Sequence, residues 1–168
     1  MTVREILNSR FDKNAFYQKV HENKSTFLEC VNIALENQEP ISWRATWVLE
    51  HSISKNDDRL IPFINDFLEV FPHRPEGHQR CILRVLRRMS LDEEQESRYF
   101  DHCMGTWENR GSIPSLRITA LEEILKIAKK YPELKSEISF LLDPMYGEGL
   151  SPGIHRTFLR FKKDFLNS

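Results

Sequence analysis

Apolar residues along the chain recur every three or four positions and almost nowhere alternate, the pattern of helices that each bury one face. In STFLECVNIALEN, residues 25–37, Phe27, Leu28, Val31, Ala34 and Leu35 make one apolar stripe, and the Ser25 hydroxyl stands where it can cap the first turn. The same period predicts further helices over roughly 12–22, 40–53, 58–71, 75–89, 92–108, 114–130, 132–142 and 152–166. Pro62 falls in the first turn of its helix if Asp57 or Asp58 is the cap, where an amide hydrogen would have no helical acceptor. An all-α fold follows, its short connections making successive helices antiparallel neighbours.

Four segments align with one another: PISWRATWVLEHS, PEGHQRCILRVLRRM, PSLRITALEEILKIA and PGIHRTFLRFKKDF. Each begins with a proline, at Pro40, Pro75, Pro114 and Pro152, which suits a helix start because its φ is already helical and its missing amide hydrogen is not needed there. Each carries an arginine three to five residues later, at Arg44, Arg80, Arg117 and Arg156, spaced by 36, 37 and 39 residues. Paired with the helices before them, these segments make four hairpin units over residues 25–166, and residues 1–24 are left as an N-terminal cap. Stacked hairpins would place the four arginine-bearing helices side by side in one layer.

This repeat resembles the HEAT and armadillo-type α-solenoids, whose second helices carry an arginine, then a small or apolar residue, then leucine-like positions. LRITALEEILKIAKKYPELKSEI, residues 116–138, is the closest match. The resemblance implies a right-handed α-α superhelix of about four hairpins plus the cap helix, forming a single domain over residues 1–168. In that family an aspartate in the turn pairs with the second-helix arginine. No aspartate stands at that place here, and Glu39, Glu76, Glu108 and Glu148 are the nearest substitutes, at varying offsets. The four repeat arginines, Arg44 foremost, are expected to brace adjacent repeats, with the guanidinium hydrogen-bonded and the aliphatic stem covering apolar surface.

Composition narrows the chemistry. A net charge of -1 provides no global attraction to a polyanion, so any electrostatic site is local. The sharpest local feature is HQRCILRVLRRM, where Arg80, Arg84 and Arg87 share one helix face, with Arg88 alongside. The stripe can track phosphates, or it can pair with Asp92, Glu93, Glu94, Glu96 and Asp101 downstream; internal pairing is the expectation. Trp43 and Trp47 stand one turn apart and share a face. Aromatics beside arginines give a fold-level similarity to HEAT-like DNA glycosylases of the alkylation-repair family, although that family's acidic catalytic residue maps to no position here. Tyr146, with Met145, lies in LLDPMYGEGLSPGIH, the longest connection of the array, as a cap on the last helix pair or as an exposed contact.

Other chemistries lack their marks. None of the six histidines forms HxxxH or HExxH, no GxSxG or Walker loop occurs, and Cys30, Cys81 and Cys103 have no CxxC spacing, so they are expected to be free thiols with no metal. The N-terminus has no apolar leader and no later run reaches a membrane-spanning length, which points to a cytoplasmic protein without membrane partners. A stack of hairpins exposes a long surface and encloses little pocket volume. The expected function is therefore a scaffold or adaptor, not an enzyme and with no cofactor, binding another protein along its second helices. The alternative is nucleic-acid binding through the basic stripe.

Overall fold

The computed structural model describes residues 1–168 and is all-helical, without a strand. Its elements are α1 (Val3–Leu7), α2 (Lys13–Glu22), α3 (Lys24–Leu35), α4 (Ile41–Ser52), α5 (Ile64–Val70), α6 (Glu76–Leu86), α7 (Glu93–Glu108), α8 (Pro114–Lys130), α9 (Lys135–Phe140) and α10 (Pro152–Leu166). The chain falls into two compact units, Met1–Gln95 and Glu96–Ser168.

Local chemistry explains where these helices begin. Pro40 and Pro75 are the N-cap residues of α4 and α6, while Pro114 and Pro152 are the first residues of α8 and α10. The Glu39–Pro40 peptide bond is cis. The cap of α3 is Asn23 rather than Ser25: its Oδ1 accepts from the Thr26 amide at 2.9 Å. Asn23 is extended, closing α2 and opening α3 in one residue, so Ser25 already lies inside the helix. Residues 58–71 and 132–142 are not single helices. Pro62 and Pro132 each sit in a 3-10 turn, and α5 and α9 begin only after it. Asp57 is not a helix cap either; its carboxylate grips Arg59 at 2.8 Å, which holds its pKa below the ordinary range. A helix that the apolar period is too short to reveal, α1, starts from a reciprocal capping box of Thr2 and Glu5.

In the first unit α3 and α4 form a hairpin on which α1 and α2 pack, and α6 lies beside α4. Trp43 abuts Gly77, Thr46 meets His78 and Glu50 meets Arg84; these contacts advance together along both helices, so α4 and α6 run parallel. Phe27, Val31, Leu49, Phe67 and Ile82 are among the buried side chains of this unit. In the second unit α7 and α8 are antiparallel: Glu96 meets Lys130 and Tyr131 at one end, and Trp107 meets Arg117 at the other. The α10 helix packs on α8, with Phe158 and Phe165 buried. Within each unit, the arginine-bearing helices are neighbours.

What the repeat arginines bond is not a ladder of acids. Arg44 Nη1 donates to the carbonyl of Leu7, the last residue of α1, at 2.9 Å. Arg117, only 1% exposed, donates through Nε and Nη2 to the Trp107 carbonyl near the end of α7, and through Nη2 to the Tyr146 carbonyl at 3.0 Å. Two arginines outside the aligned positions act alike: Arg74 on the carbonyl of Leu35, which ends α3, and Arg59 on that of His21 near the end of α2. The last carbonyls of a helix have no amide partner and carry the negative end of its dipole, so a cation with several N–H groups is favourable there. The glutamates are engaged elsewhere, Glu39 with His78 and Glu148 with Arg110. Arg156 is exposed and forms no such bond, and Arg80 leaves its Nε unpaired, so the bracing role does not extend to these two.

Replacing Arg117 by methionine should therefore cost about 2–4 kcal/mol, because two buried carbonyls lose their donor. Arg156→Met and Lys129→Ala should stay within about 0.5 kcal/mol of the parent. Thermal unfolding of the three variants checks this, and a neutral Arg117→Met would show that the carbonyl clamp contributes no stability.

Candidate functional site

On the outer face of α4, Pro40, Trp43, Arg44 and Trp47 line an open hollow of about 370 Å³. Trp43 is 41% exposed although it is a large indole in a helix that is otherwise mostly buried. It cannot sink further. A Cβ on Gly77 of α6 would lie 2.4 Å from the indole Cζ2, so the ring already rests on the α6 backbone, which only a glycine permits. One turn on, Trp47 meets Tyr17 edge-on at 5.6 Å and His51 at 5.0 Å between ring centroids. The Lys13 ammonium lies 5.0 Å from the Trp47 ring centroid. Both tryptophans named by spacing thus share one face, and both are held in place before any ligand arrives.

Beneath this face lies an arrangement that no sequence motif announces. His78 Nδ1 is 2.5 Å from Glu39 Oε1, and His78 Nε2 is 2.7 Å from Thr46 Oγ1. With the imidazole neutral, Nδ1–H donates to the carboxylate, and the one hydrogen of the Thr46 hydroxyl has two acceptors within reach, His78 Nε2 and the Ser42 carbonyl at 2.9 Å. The connectivity is that of a nucleophile–base–acid triad, but Thr46 and His78 are both 0% exposed, so no substrate reaches the hydroxyl. The trio instead ties α4, α6 and the turn between α3 and α4 together. Glu39 Oε2 also accepts from the Trp43 amide, at 3.2 Å, which places the support directly behind the hollow.

The basic stripe is less uniform than its spacing suggests. Arg84 Nε lies 2.5 Å from Glu50 Oε1, an acid of α4 rather than one of residues 92–101. Asp92 accepts from the Gln95 amide, and Glu96 is bound by Lys130 and Tyr131. Arg80 is half-buried, whereas Arg87 and Arg88 are exposed. In the second unit Tyr146 stacks on Trp107 with ring centroids 6.0 Å apart, half-buried, while Met145 stays exposed. The three cysteines are free and buried, and burial pushes the Cys81 thiol up to about 11, so none is a poised nucleophile.

Trp43, Arg44 and Trp47 are brought to one surface, whereas Arg84 pairs with the buried Glu50; Tyr146 and Arg117 belong to the other unit. The sequence reading offered Glu39 only as an acid for a repeat arginine and missed Thr46, Gly77 and His78, whose contacts span about one repeat length and follow no short motif. A family model described as a HEAT repeat domain matches residues 3–164. The chain matches no curated protein and no solved structure. No helix is long and apolar enough to cross a membrane.

Burial holds the His78 imidazole below its ordinary pKa, with Glu39 pulling the other way and Arg74 adding to the depression. An unfolded chain, with its histidine near ~6.5, takes up a proton that the folded chain resists. The stability contributed by the neutral trio is therefore full above that pH and declines as the pH falls. The melting temperature should drop between pH 7.5 and 5.5 more steeply in the parent than in His78→Gln, which should itself melt lower at pH 7.5. Parallel curves for the two proteins would contradict this account. Gly77→Ala should displace the Trp43 ring, seen as a changed near-ultraviolet circular dichroism spectrum over an unchanged far-ultraviolet one.

Proposed function

The chain belongs to the HEAT repeat family, whose members are helical-repeat scaffolds that commonly bind protein partners, and from that premise we propose a non-catalytic adaptor. It binds another protein along the surface of its second helices, anchored at the Trp43–Trp47 hollow. One observation carries this reading: an indole that stays exposed because the backbone of the next helix stands behind it. Binding energy concentrates in a few preorganised aromatic and arginine side chains, and this hollow is built from two tryptophans, a proline and an arginine. The open shape suits a protruding side chain of a macromolecule better than an engulfed small substrate.

Nucleic acid is the second reading, motivated by Arg80, Arg84, Arg87 and Arg88 on a single helix and its C-terminal turn. Pairing of Arg84 with Glu50 removes one cation from the middle of that row and weakens the reading.

Capture from a cell lysate on the immobilised full chain, with recovered protein and nucleic acid both identified, tests the choice. Protein recovered by the parent should be lost with Trp43→Ala/Trp47→Ala, while Lys129→Ala should retain it. Recovery of nucleic acid that weakens with salt and with Arg80→Gln/Arg87→Gln, but ignores the tryptophans, would replace the protein partner by a nucleic acid.

A further inference from the structure

We infer that the occupant of the Trp43–Trp47 hollow is an acidic segment of a partner protein, with an apolar side chain seated on the two indoles and carboxylates meeting Arg44, Arg80 and Lys13. The inference rests on the docking reading above and adds the chemistry of the partner.

The charged side chain that lines the hollow is Arg44, and the acids of its own helix and turn face inward for a structural reason. Between residues 39 and 52 the only acids are Glu39 and Glu50, and both are occupied from within. Glu39 holds His78 with one oxygen and accepts the Trp43 amide with the other. Glu50 is buried against Arg84. On α6, Glu76 is likewise engaged. The cations are disposed differently. Arg44 is exposed on the lining of the hollow, and its bond to the Leu7 carbonyl fixes the guanidinium without neutralising it. Lys13 is exposed over the Trp47 ring. Arg80 follows Gly77 by one turn of α6, on the helix against which Trp43 rests, and is half-buried with its Nε inside the fold. Arg44 and Lys13 thus border an apolar floor, with Arg80 one turn along the adjoining α6, while Glu39 and Glu50 direct their carboxylates into the fold.

An apolar group alone would leave those cations without a counterpart, and a basic segment would be repelled. Carboxylates flanking an apolar residue satisfy both features: charge-assisted hydrogen bonds to arginine are strong, and the indoles exclude water from them. A phosphodiester chain fits less well, because successive phosphates call for a continuous row of cations, and the row on α6 is broken where Glu50 holds Arg84. With a net charge of -1 the chain has no long-range pull on any polyanion, so recognition depends on these local contacts.

The test is selection of a random peptide display library on the immobilised full chain, followed by synthesis of the recovered consensus and titration by fluorescence polarisation. The expected consensus carries aspartate or glutamate on both sides of an apolar residue. Its affinity should fall about tenfold or more with Trp43→Ala, and severalfold with Arg44→Gln together with a weaker salt dependence. Far-ultraviolet circular dichroism and melting of both variants confirm that they fold. Peptides that need Trp43 but lack acids would overturn the acidic occupant while leaving the docking site standing. Acidic peptides indifferent to Trp43 and Trp47 would overturn the site itself. Failure to enrich any peptide, alongside retention of a single-stranded oligonucleotide through Arg80 and Arg87, would overturn both in favour of nucleic acid.

Discussion

A helix that ends inside a fold leaves carbonyls that no amide of its own can reach, and in this protein several of them are met by side-chain N–H groups from elsewhere in the chain. Arg44 serves the end of α1, Arg59 that of α2, Arg74 that of α3 and Arg117 that of α7. His21 is placed to donate to the Ser52 carbonyl at the end of α4, and the Trp107 indole donates to the Leu141 carbonyl just beyond α9. Guanidinium suits this task better than ammonium, because its fork reaches two carbonyls from one position, as Arg117 does. The spacing of the helix hairpins in each unit depends on these contacts, since each one fixes a helix end against a residue distant in the chain.

The same economy shapes the α4–α6 face. Glu39 and Glu50 are used inside the fold, one to orient a buried histidine and the other to pair with Arg84, and that use turns both carboxylates inward, away from the hollow that Arg44 lines. Gly77 belongs to this face as well: without a side chain it lets Trp43 lie against α6, so the indole is exposed yet rigid.

Helix content and the proline-marked starts of the second helices were legible because they depend on local rules of period and φ. The α8 and α10 limits follow directly from their prolines and apolar stripes. Shortening of the helices at 58–71 and 132–142 into a 3-10 turn and a brief α-helix was not legible, because proline in a first turn is compatible with either geometry. Nor was the transfer of the α3 cap from Ser25 to Asn23, since both residues cap equally well and the sharing of Asn23 between two helices is settled by packing.

By itself, the sequence determined an all-helical repeat with arginine at a recurrent place, and it put Trp43 and Trp47 on one face; these are consequences of neighbours three or four residues apart. Tertiary structure decided what each arginine bonds, that Glu39, His78 and Thr46 meet, and that Glu50 rather than an acid of residues 92–101 neutralises Arg84. The His78 and Arg84 pairings join residues 32 to 39 positions apart, where the partner depends on the relative offset of two packed helices. A hydrogen bond is sensitive to an offset of a few tenths of an ångström, whereas the apolar period that brings the helices together tolerates a shift of a full turn.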